Sequence, residues 1–151
     1  MKNTIVCGID GSPDSQAAVV YATELADRLG ARLVLAHVVE QAPSAHATIG
    51  PPAGATPPFF TTTTEREAAG ERLLGEVAAA TGIDGAEQRV VTGIPAEGLA
   101  DLADDESAQL IVVGSRGRGP LRSALLGSVS TSLIGLARCP VLVVPPGAVL
   151  P

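Results

Sequence analysis

Aromatic residues are almost absent from this chain of 151 residues: they make up 2%, with one Tyr, two Phe and no Trp. Apolar residues still account for 46% of the sequence, so the core must be built from Val, Leu, Ile and Ala. A chain of this length corresponds to one ordinary domain and buries roughly two thirds of its unfolded surface. It therefore needs no disulfide or structural metal to hold a core.

Lysine is nearly missing as well, since Lys2 is the only lysine among the 10 basic residues. The chain has 16 acidic residues. The net charge of −6 argues against non-specific binding to nucleic acid or to an anionic membrane surface. It does not exclude a small anionic ligand, because local charges and backbone dipoles decide that kind of binding. No apolar run approaches the roughly 18 residues that a membrane span requires, so no membrane partner is expected.

Cysteine is scarce too, with only Cys7 and Cys139. Two thiols make no disulfide framework, and Cys7 lies in a β-type apolar run, where we interpret it as a small buried residue. The chain also opens on a strand-like segment rather than on the charged and apolar parts of a secretion signal. These features predict a protein of the reducing cytoplasm.

Five short apolar runs alternate with four helical patterns along the chain. Nearly continuous runs of Val, Leu and Ile are typical of strands buried on both faces of a parallel sheet. The alternation predicts a single doubly wound α/β domain, with right-handed crossovers and helices on both faces of the sheet. We expect this domain to span 1–146, followed by a short tail at 147–151. The predicted strands are Ile5–Ile9, Leu33–Val39, Val90–Val91, Leu110–Val113 and Val141–Val144.

A Pro- and Thr-rich segment at 41–63 interrupts this order. It contains five prolines and shows no periodicity, so we interpret it as a long loop. Thr64 and Glu67 have the spacing of a capping box and predict the start of the second helix. His46 lies in this loop and is expected to be solvated, whereas His37 is expected to be a core or strand-end histidine.

The segment that follows the fourth strand, residues 114–130, has the composition of a phosphate site. Its glycines let the backbone approach a ligand and direct N–H groups toward it. Ser128 and Ser130 lie where the next helix begins, so hydroxyls and unpaired N–H groups join the positive end of the helix dipole. A tight loop with capping serines and solvated arginines would have the same composition. Three positive charges lie within seven residues: Arg116, Arg118 and Arg122.

The two commonest nucleotide motifs do not fit this segment. A Walker P-loop needs Lys after its second glycine, but Pro120 follows Gly119 and the chain has no lysine beyond Lys2. The dinucleotide fingerprint needs Gly-x-Gly-x-x-Gly, and Arg122 occupies its third glycine position. The cysteines and histidines also lack the paired spacing of a zinc site, so no direct metal ligand is expected.

The spacing Gly114-x2-Gly117-x9-Gly127-Ser128 resembles the ATP-binding signature of the universal stress proteins, Gly-x2-Gly-x9-Gly-(Ser/Thr). The opening strand with its Asp10-Gly-Ser end and the closing Cys-Pro-Val-Leu-Val-Val run are similar to the same family. The likeness covers the whole chain except the Pro-rich loop. It implies a sheet order of 3-2-1-4-5 and a stress-response regulatory protein that binds ATP, with Mg²⁺ carried on the phosphates.

The resemblance also implies residue roles. Asp10 and the backbone of Val38 would border adenine, and the helix start at Gly127, where we expect a positive φ, would hold the phosphates. No general base flanks the phosphate segment, so hydrolysis is expected to be slow or absent and no catalytic residue is assigned. The expected nucleotide-binding residues are Gly8, Ile9, Asp10, Val38, Val113, Gly114, Arg116, Gly117, Arg118, Gly127, Ser128, Val129 and Ser130.

Two other functions stay open at this point. Enzymes that attack the α-phosphate of ATP carry a Ser-Gly-Gly-x-Asp-Ser loop after the first strand; Gly11, Asp14 and Ser15 match it, whereas Asp10 and Ser12 do not. An interaction module that binds cyclic AMP would use the same pocket.

The implied strand order also suggests a partner. It places the apolar strand Val141–Val144 at an edge of the sheet, where unpaired backbone groups invite pairing with another chain. A second copy would offer the same strand across a two-fold axis, so a homodimer through this strand is expected.

Overall fold

The computed structural model of the chain describes residues 3–41, 62–117 and 126–151. These residues form one parallel sheet in the order β3-β2-β1-β4-β5, which confirms the predicted fold and strand order. The elements along the chain are β1 (Thr4–Gly8), α1 (Pro13–Leu29), β2 (Arg32–Val39), α2 (Thr63–Thr81), β3 (Glu87–Thr92), α3 (Pro95–Asp105), β4 (Leu110–Gly114), α4 (Ser128–Leu136) and β5 (Val141–Val144).

The sheet is covered on both faces, and alternate residues of β1 serve the two sides. Ile5 and Cys7 pack into an aliphatic cluster with α1 and α2, while Val6 packs into a second cluster with α3 and α4. Because both faces are apolar, β1, β4 and β5 are nearly continuous apolar runs, whereas the edge strand β3 begins with polar residues. Burial also raises the pKa of the Cys7 thiol to about 12, so this residue is an apolar filler, as predicted.

The start of α1 follows the predicted chemistry, whereas α2 begins earlier than expected. Ser12 caps α1 by accepting a hydrogen bond from the Ser15 N–H, directly before Pro13. The capping box of α2 is formed by Thr62 and Glu65, so the prediction of Thr64 and Glu67 was wrong by two residues. A run of four threonines offers several possible caps, and Glu67, the expected capping partner, accepts a hydrogen bond from the Thr92 hydroxyl instead. In the described ranges, no helix is both long and apolar enough to cross a membrane.

The predicted tail lies against the domain. Ala148 packs against the cluster under α1, and the Pro151 carbonyl accepts a hydrogen bond of 2.8 Å from Arg28 Nη1. At the amino ends of the strands, Arg32 forms ion pairs with Glu87 and Glu106. The hydrogen bond from Arg32 lowers the pKa of Glu106. The loops that form the candidate site lie at the opposite edge of the sheet, where the strands have their carboxyl ends.

Candidate functional site

Three segments that are far apart in the sequence meet at the carboxyl edge of the sheet. β1 and β4 are adjacent parallel strands, so the β1 loop (Ile9–Ser12) and the β4 loop (Gly114–Gly117) leave the sheet side by side. The N-terminus of α4 joins them, since the N–H of Gly127 donates to the Ser115 carbonyl at 2.6 Å. Strand order reverses between β1 and β4, which is where ligands bind in open α/β sheets.

Asp10 is the residue of the β1 loop that contacts the β4 loop. Its Oδ1 accepts a hydrogen bond of 2.9 Å from the Ser12 N–H, which turns the chain into α1. A Cβ on Gly117 would lie 2.6 Å from Asp10 Oδ2, closer than such atoms can approach. A side chain at position 117 would therefore require the Asp10 carboxylate to move.

Asp14, in the first turn of α1, contacts the β4 loop through both its backbone and its carboxylate. A Cβ on Gly114 would lie 2.6 Å from the Asp14 carbonyl carbon, so the helix and the strand end are in backbone contact. Asp14 Oδ2 accepts hydrogen bonds from Ser115 Oγ at 2.7 Å and from the Arg116 N–H at 3.0 Å. The Nε atom of Arg116 lies 3.5 Å from the same oxygen. The sequence predicted no ligand-site contact for Asp14; its place directly after the helix-starting pair Ser12-Pro13 was the available signal.

The helix start at Gly127 differs from the expected conformation. Gly127 has a φ of −73°, so the prediction of a positive φ was wrong. Space around it is tight instead: a Cβ would lie 3.3 Å from Arg116 Cα and 3.4 Å from the Gly117 nitrogen, so a side chain would require the β4 loop to shift slightly. Ser130 is buried here, and its hydroxyl donates to the carbonyls of Gly127 and Ser115. That hydroxyl thus fixes α4 to the β4 loop.

The backbone donors of these segments divide into two groups. The residues at 128–130 begin α4, and their N–H groups have no acceptor within the helix. They are the donors that an anion at this edge would meet, together with the positive end of the helix dipole. Three other N–H groups are used within the fold: Ser115 donates to Val144, Arg116 to Asp14 and Gly127 to Ser115.

An open cleft of about 480 Å³ lies on the other side of Asp10. It separates the end of β2 from the first half of α2 and falls within the ordinary size range of ligand pockets, roughly 300–1,000 Å³. Its lining residues are Asp10, His37, Val38, Val39, Glu40, Arg66, Ala69, Gly70, Leu73 and Pro95.

The backbone of Val38 faces this cleft. Within the described chain, the ladder between β1 and β2 ends with the Ile9 N–H donating to the Ala36 carbonyl at 2.8 Å. Three residues farther along β2, the Val39 carbonyl accepts from the Gly93 N–H, so the backbone groups of Val39 face β3. Because successive residues of a strand face opposite neighbours, the N–H and C=O of Val38 point toward β1, beyond the last bond of that ladder.

His37 is a strand-end histidine, and it joins β1 to β2 and α2. Its Nδ1 lies 2.6 Å from the Ile9 carbonyl oxygen, so Nδ1 carries the proton and donates. The ring rests against Gly70 of α2, where a Cβ would lie 2.9 Å from His37 Cδ2. His37 therefore fixes the chain one residue before Asp10.

Some expected site residues lie beneath the surface of the site. Gly8 faces the α3 side of the sheet, where a Cβ would meet Leu99 Cδ1 at 2.8 Å. The side chains of Ile9 and Val113 are buried in the two aliphatic clusters. These three residues can reach a ligand only through their backbone groups.

Other sequence predictions fall on residues 42–61 and 118–125. Arg118, Arg122, His46 and most of the loop predicted at 41–63 lie outside the described residues. The last residue of that range, Thr63, is already helical. In the part of the chain that the structure describes, no three His, Cys, Asp or Glu side chains come together as a metal site.

Comparison with known proteins identifies the family. The model of the universal stress protein family matches residues 1–145. This chain belongs to the universal stress protein family. A universal stress protein of Thermus aquaticus is 35% identical over 145 residues, which cover 95% of this chain and 99% of that protein.

Solved universal stress protein structures share the fold. UspA from Lactobacillus plantarum has a TM-score of 0.73 at 23% identity, covering 94% of this chain and 97% of that one. A universal stress protein solved in complex with cAMP has a TM-score of 0.66 at 28% identity, covering 96% and 98%.

The contact between α1 and β4 at Gly114 predicts the effect of a small substitution. We expect Gly114→Ala to lower the free energy of unfolding by about 1–3 kcal/mol, because the added methyl group must displace the Asp14 backbone. Gly75→Ala is the matched control: it lies on an open face of α2 and should raise stability by about 0.5–1 kcal/mol. Urea unfolding of both variants measures this, and equal stability of Gly114→Ala and the parent would contradict the contact.

Proposed function

We propose that this universal stress protein binds an adenine nucleotide, ATP with Mg²⁺, and acts as a cytoplasmic stress-response regulator that hydrolyses ATP slowly or not at all. The observation that carries the proposal is the contact between Asp10 and Gly117. This contact lies between the cleft, which the backbone groups of Val38 face, and the N-terminus of α4, which offers unpaired N–H groups. A ligand that spans both needs a flat polar ring at one end and an anion at the other, as a nucleotide has.

The base would lie in the cleft beside Asp10. The N–H and C=O of Val38 form an adjacent donor and acceptor, and adenine presents an acceptor ring nitrogen beside a donor amino group. The related protein solved with cAMP, 28% identical to this chain, binds a ligand with the same base. This match supports adenine as the base.

The phosphates would lie at the start of α4. The N–H groups at 128–130 and the helix dipole favour a group with several negative charges, and Ser128 adds an exposed hydroxyl. Arg116, in the adjoining β4 loop, compensates the charge of the Asp14 carboxylate. Because the described residues offer no cluster of metal-binding side chains, Mg²⁺ would be held by the phosphates themselves. The donor set fits a linear triphosphate better than a cyclic monophosphate.

Cyclic AMP is the second candidate ligand, because a related universal stress protein is solved with it. An enzyme that attacks the α-phosphate is disfavoured by Asp10, whose carboxylate lies against the β4 loop and would repel the phosphate. The carboxylates of the described residues that contact the β4 loop are held by hydrogen bonds, Asp14 from Ser115 and the Arg116 N–H, and Asp10 from the Ser12 N–H. This supports slow or absent hydrolysis.

The proposal predicts stabilisation by ATP. At 100-fold above its Kd, ATP with Mg²⁺ should add about 2.7 kcal/mol to the free energy of unfolding. Thermal melts of protein verified to be free of nucleotide would compare ATP, cAMP and GTP, and a phosphate-release assay on the same preparation would follow turnover. No shift with ATP would reject ATP binding, and a shift with cAMP alone would select the second candidate. Turnover on the order of 1 s⁻¹ or faster would reject the regulatory, non-enzymatic role.

Substitutions at the start of α4 test where the phosphates lie. We expect Gly127→Val to abolish ATP binding, because its side chain would crowd Arg116 and Gly117 and block the helix N-terminus. Ser128→Ala should weaken binding only about tenfold to a hundredfold, since one hydroxyl is lost and the N–H groups stay. Gly135→Val, on an open face of the same helix, is the matched control.

Titration calorimetry measures these affinities, with circular dichroism to confirm folding. If folded Gly127→Val binds ATP like the parent, the phosphates do not lie at this helix start.

We also propose that the chain forms a homodimer through β5. In the described sheet β5 pairs with β4 alone, and bonds to β4 use the carbonyls of Pro140 and Val144, so Val141 and Val143 direct their backbone groups outward. Ile134 of neighbouring α4 is 60% exposed and extends the apolar surface. An edge of this kind pairs with a second copy in a closed, isologous contact.

Light scattering should therefore give twice the chain mass of 15.1 kDa at micromolar concentration. Val143→Pro removes one outward N–H without breaking the ladder to β4, and should give a folded monomer. A monomeric parent protein, or a dimer that survives Val143→Pro, would reject this interface.

A further inference from the structure

We propose that Asp14 is a positioning residue that holds the β4 loop in the shape that binds the nucleotide phosphates. The inference rests on the proposed function of the site. Asp14 does not face the ligand; it is 7% exposed and lies beneath the loop. A buried carboxylate is retained only where donors and positive charge compensate it, and at Asp14 these partners come from the β4 loop.

The contacts of Asp14 bind consecutive residues of the loop. One oxygen, Oδ2, accepts from the Ser115 hydroxyl at 2.7 Å and from the Arg116 N–H at 3.0 Å. The guanidinium Nε of Arg116, 3.5 Å away, offsets the negative charge beneath an anion site. The carboxylate thus fixes both the backbone and the charged side chain of the loop.

Asp14 is itself fixed by the helix that carries it. Ser12 caps α1 and Pro13 presets its first turn, so the carboxylate is anchored on rigid backbone. Ser12 Oγ also lies 3.4 Å from the Arg116 carbonyl, on the same side of the loop. The absence of a Cβ at Gly114 allows the helix to lie close enough for these bonds.

The effect of Asp14 extends to the start of α4 through Ser115. The Ser115 carbonyl accepts from the Gly127 N–H at 2.6 Å and from the Ser130 hydroxyl at 3.3 Å. Ser115 therefore links the two segments: its hydroxyl donates to Asp14, and its carbonyl accepts from the N-terminus of α4. Removal of the Asp14 carboxylate would leave one buried and one partly buried donor without this acceptor and allow the loop and the helix start to shift together.

Two substitutions separate the hydrogen bonds of Asp14 from its charge. Asp14→Ala removes both, and we expect ATP to bind about tenfold more weakly, as for a site that loses one or two buried hydrogen bonds. Asp14→Asn keeps an acceptor for Ser115 and Arg116, and should restore most of that affinity. Asp27→Ala, an exposed aspartate of the same helix, is the matched control. Adenosine, which lacks phosphate, should bind all four proteins equally.

Hydrogen exchange on the nucleotide-free proteins provides a readout that does not depend on the ligand. Peptides covering 114–130 should exchange faster in Asp14→Ala than in the parent, Asp14→Asn or Asp27→Ala. Ser115→Ala should produce the same change more weakly, and should add nothing in the Asp14→Ala background, because the two groups share one bond.

The outcomes of these experiments are distinct. Equal loss of ATP and adenosine affinity, no rescue by Asp14→Asn, or unchanged exchange at 114–130 would overturn the positioning role, even where the parent binds ATP. Faster exchange in Asp14→Ala together with a parent that binds no nucleotide would instead overturn the proposed function, and the phosphate role of Asp14 with it. If Asp14→Ala does not fold, the ATP-to-adenosine ratio of Ser115→Ala decides the question.

Discussion

The backbone contact between α1 and the end of β4 is the constraint on which the rest of the site depends. Gly114 and Asp14 lie so close that even one methyl group would not fit between them. That closeness brings the Asp14 carboxylate under Ser115 and Arg116, and places the β4 loop beside Asp10. α4 then begins where the Ser115 carbonyl can accept from Gly127. Each later contact exists because the first helix packs directly on its neighbouring strand.

The glycines at 114, 117 and 127 have a reason in the protein itself, besides any approach to a ligand. A side chain at the first would meet Asp14, at the second Asp10, and at the third the Arg116 backbone. None of the three needs a left-handed φ. In this chain, the glycines of the Gly-x2-Gly-x9-Gly spacing therefore allow close packing among two loops and a helix start.

Charge is distributed so that an acidic protein can offer an anion site. The amino edge of the sheet carries ion pairs of Arg32 and Arg89 with Glu87 and Glu106, where each arginine is compensated. At the carboxyl edge the acidic side chains of Asp10 and Asp14 accept hydrogen bonds from backbone or hydroxyl donors. The positive end of α4 lies beside them. The positive end of the α4 dipole therefore lies at this edge although the net charge of the chain is −6.

Apolar periodicity was enough to predict the α/β class, and the glycine spacing with its flanking runs pointed to the universal stress protein family, whose resemblance implied the strand order. The sequence could not predict the register at which elements pack. The capping box forms at Thr62 rather than Thr64, while Glu67 accepts a hydrogen bond from Thr92 of the distant β3, and Gly127 has a negative φ. The roles of Asp14 and His37 were also decided only by tertiary structure, since each binds a residue that lies far away in the chain. Local conformational propensity depends on neighbouring residues, whereas the partner of a buried polar group depends on how helices and strands pack together.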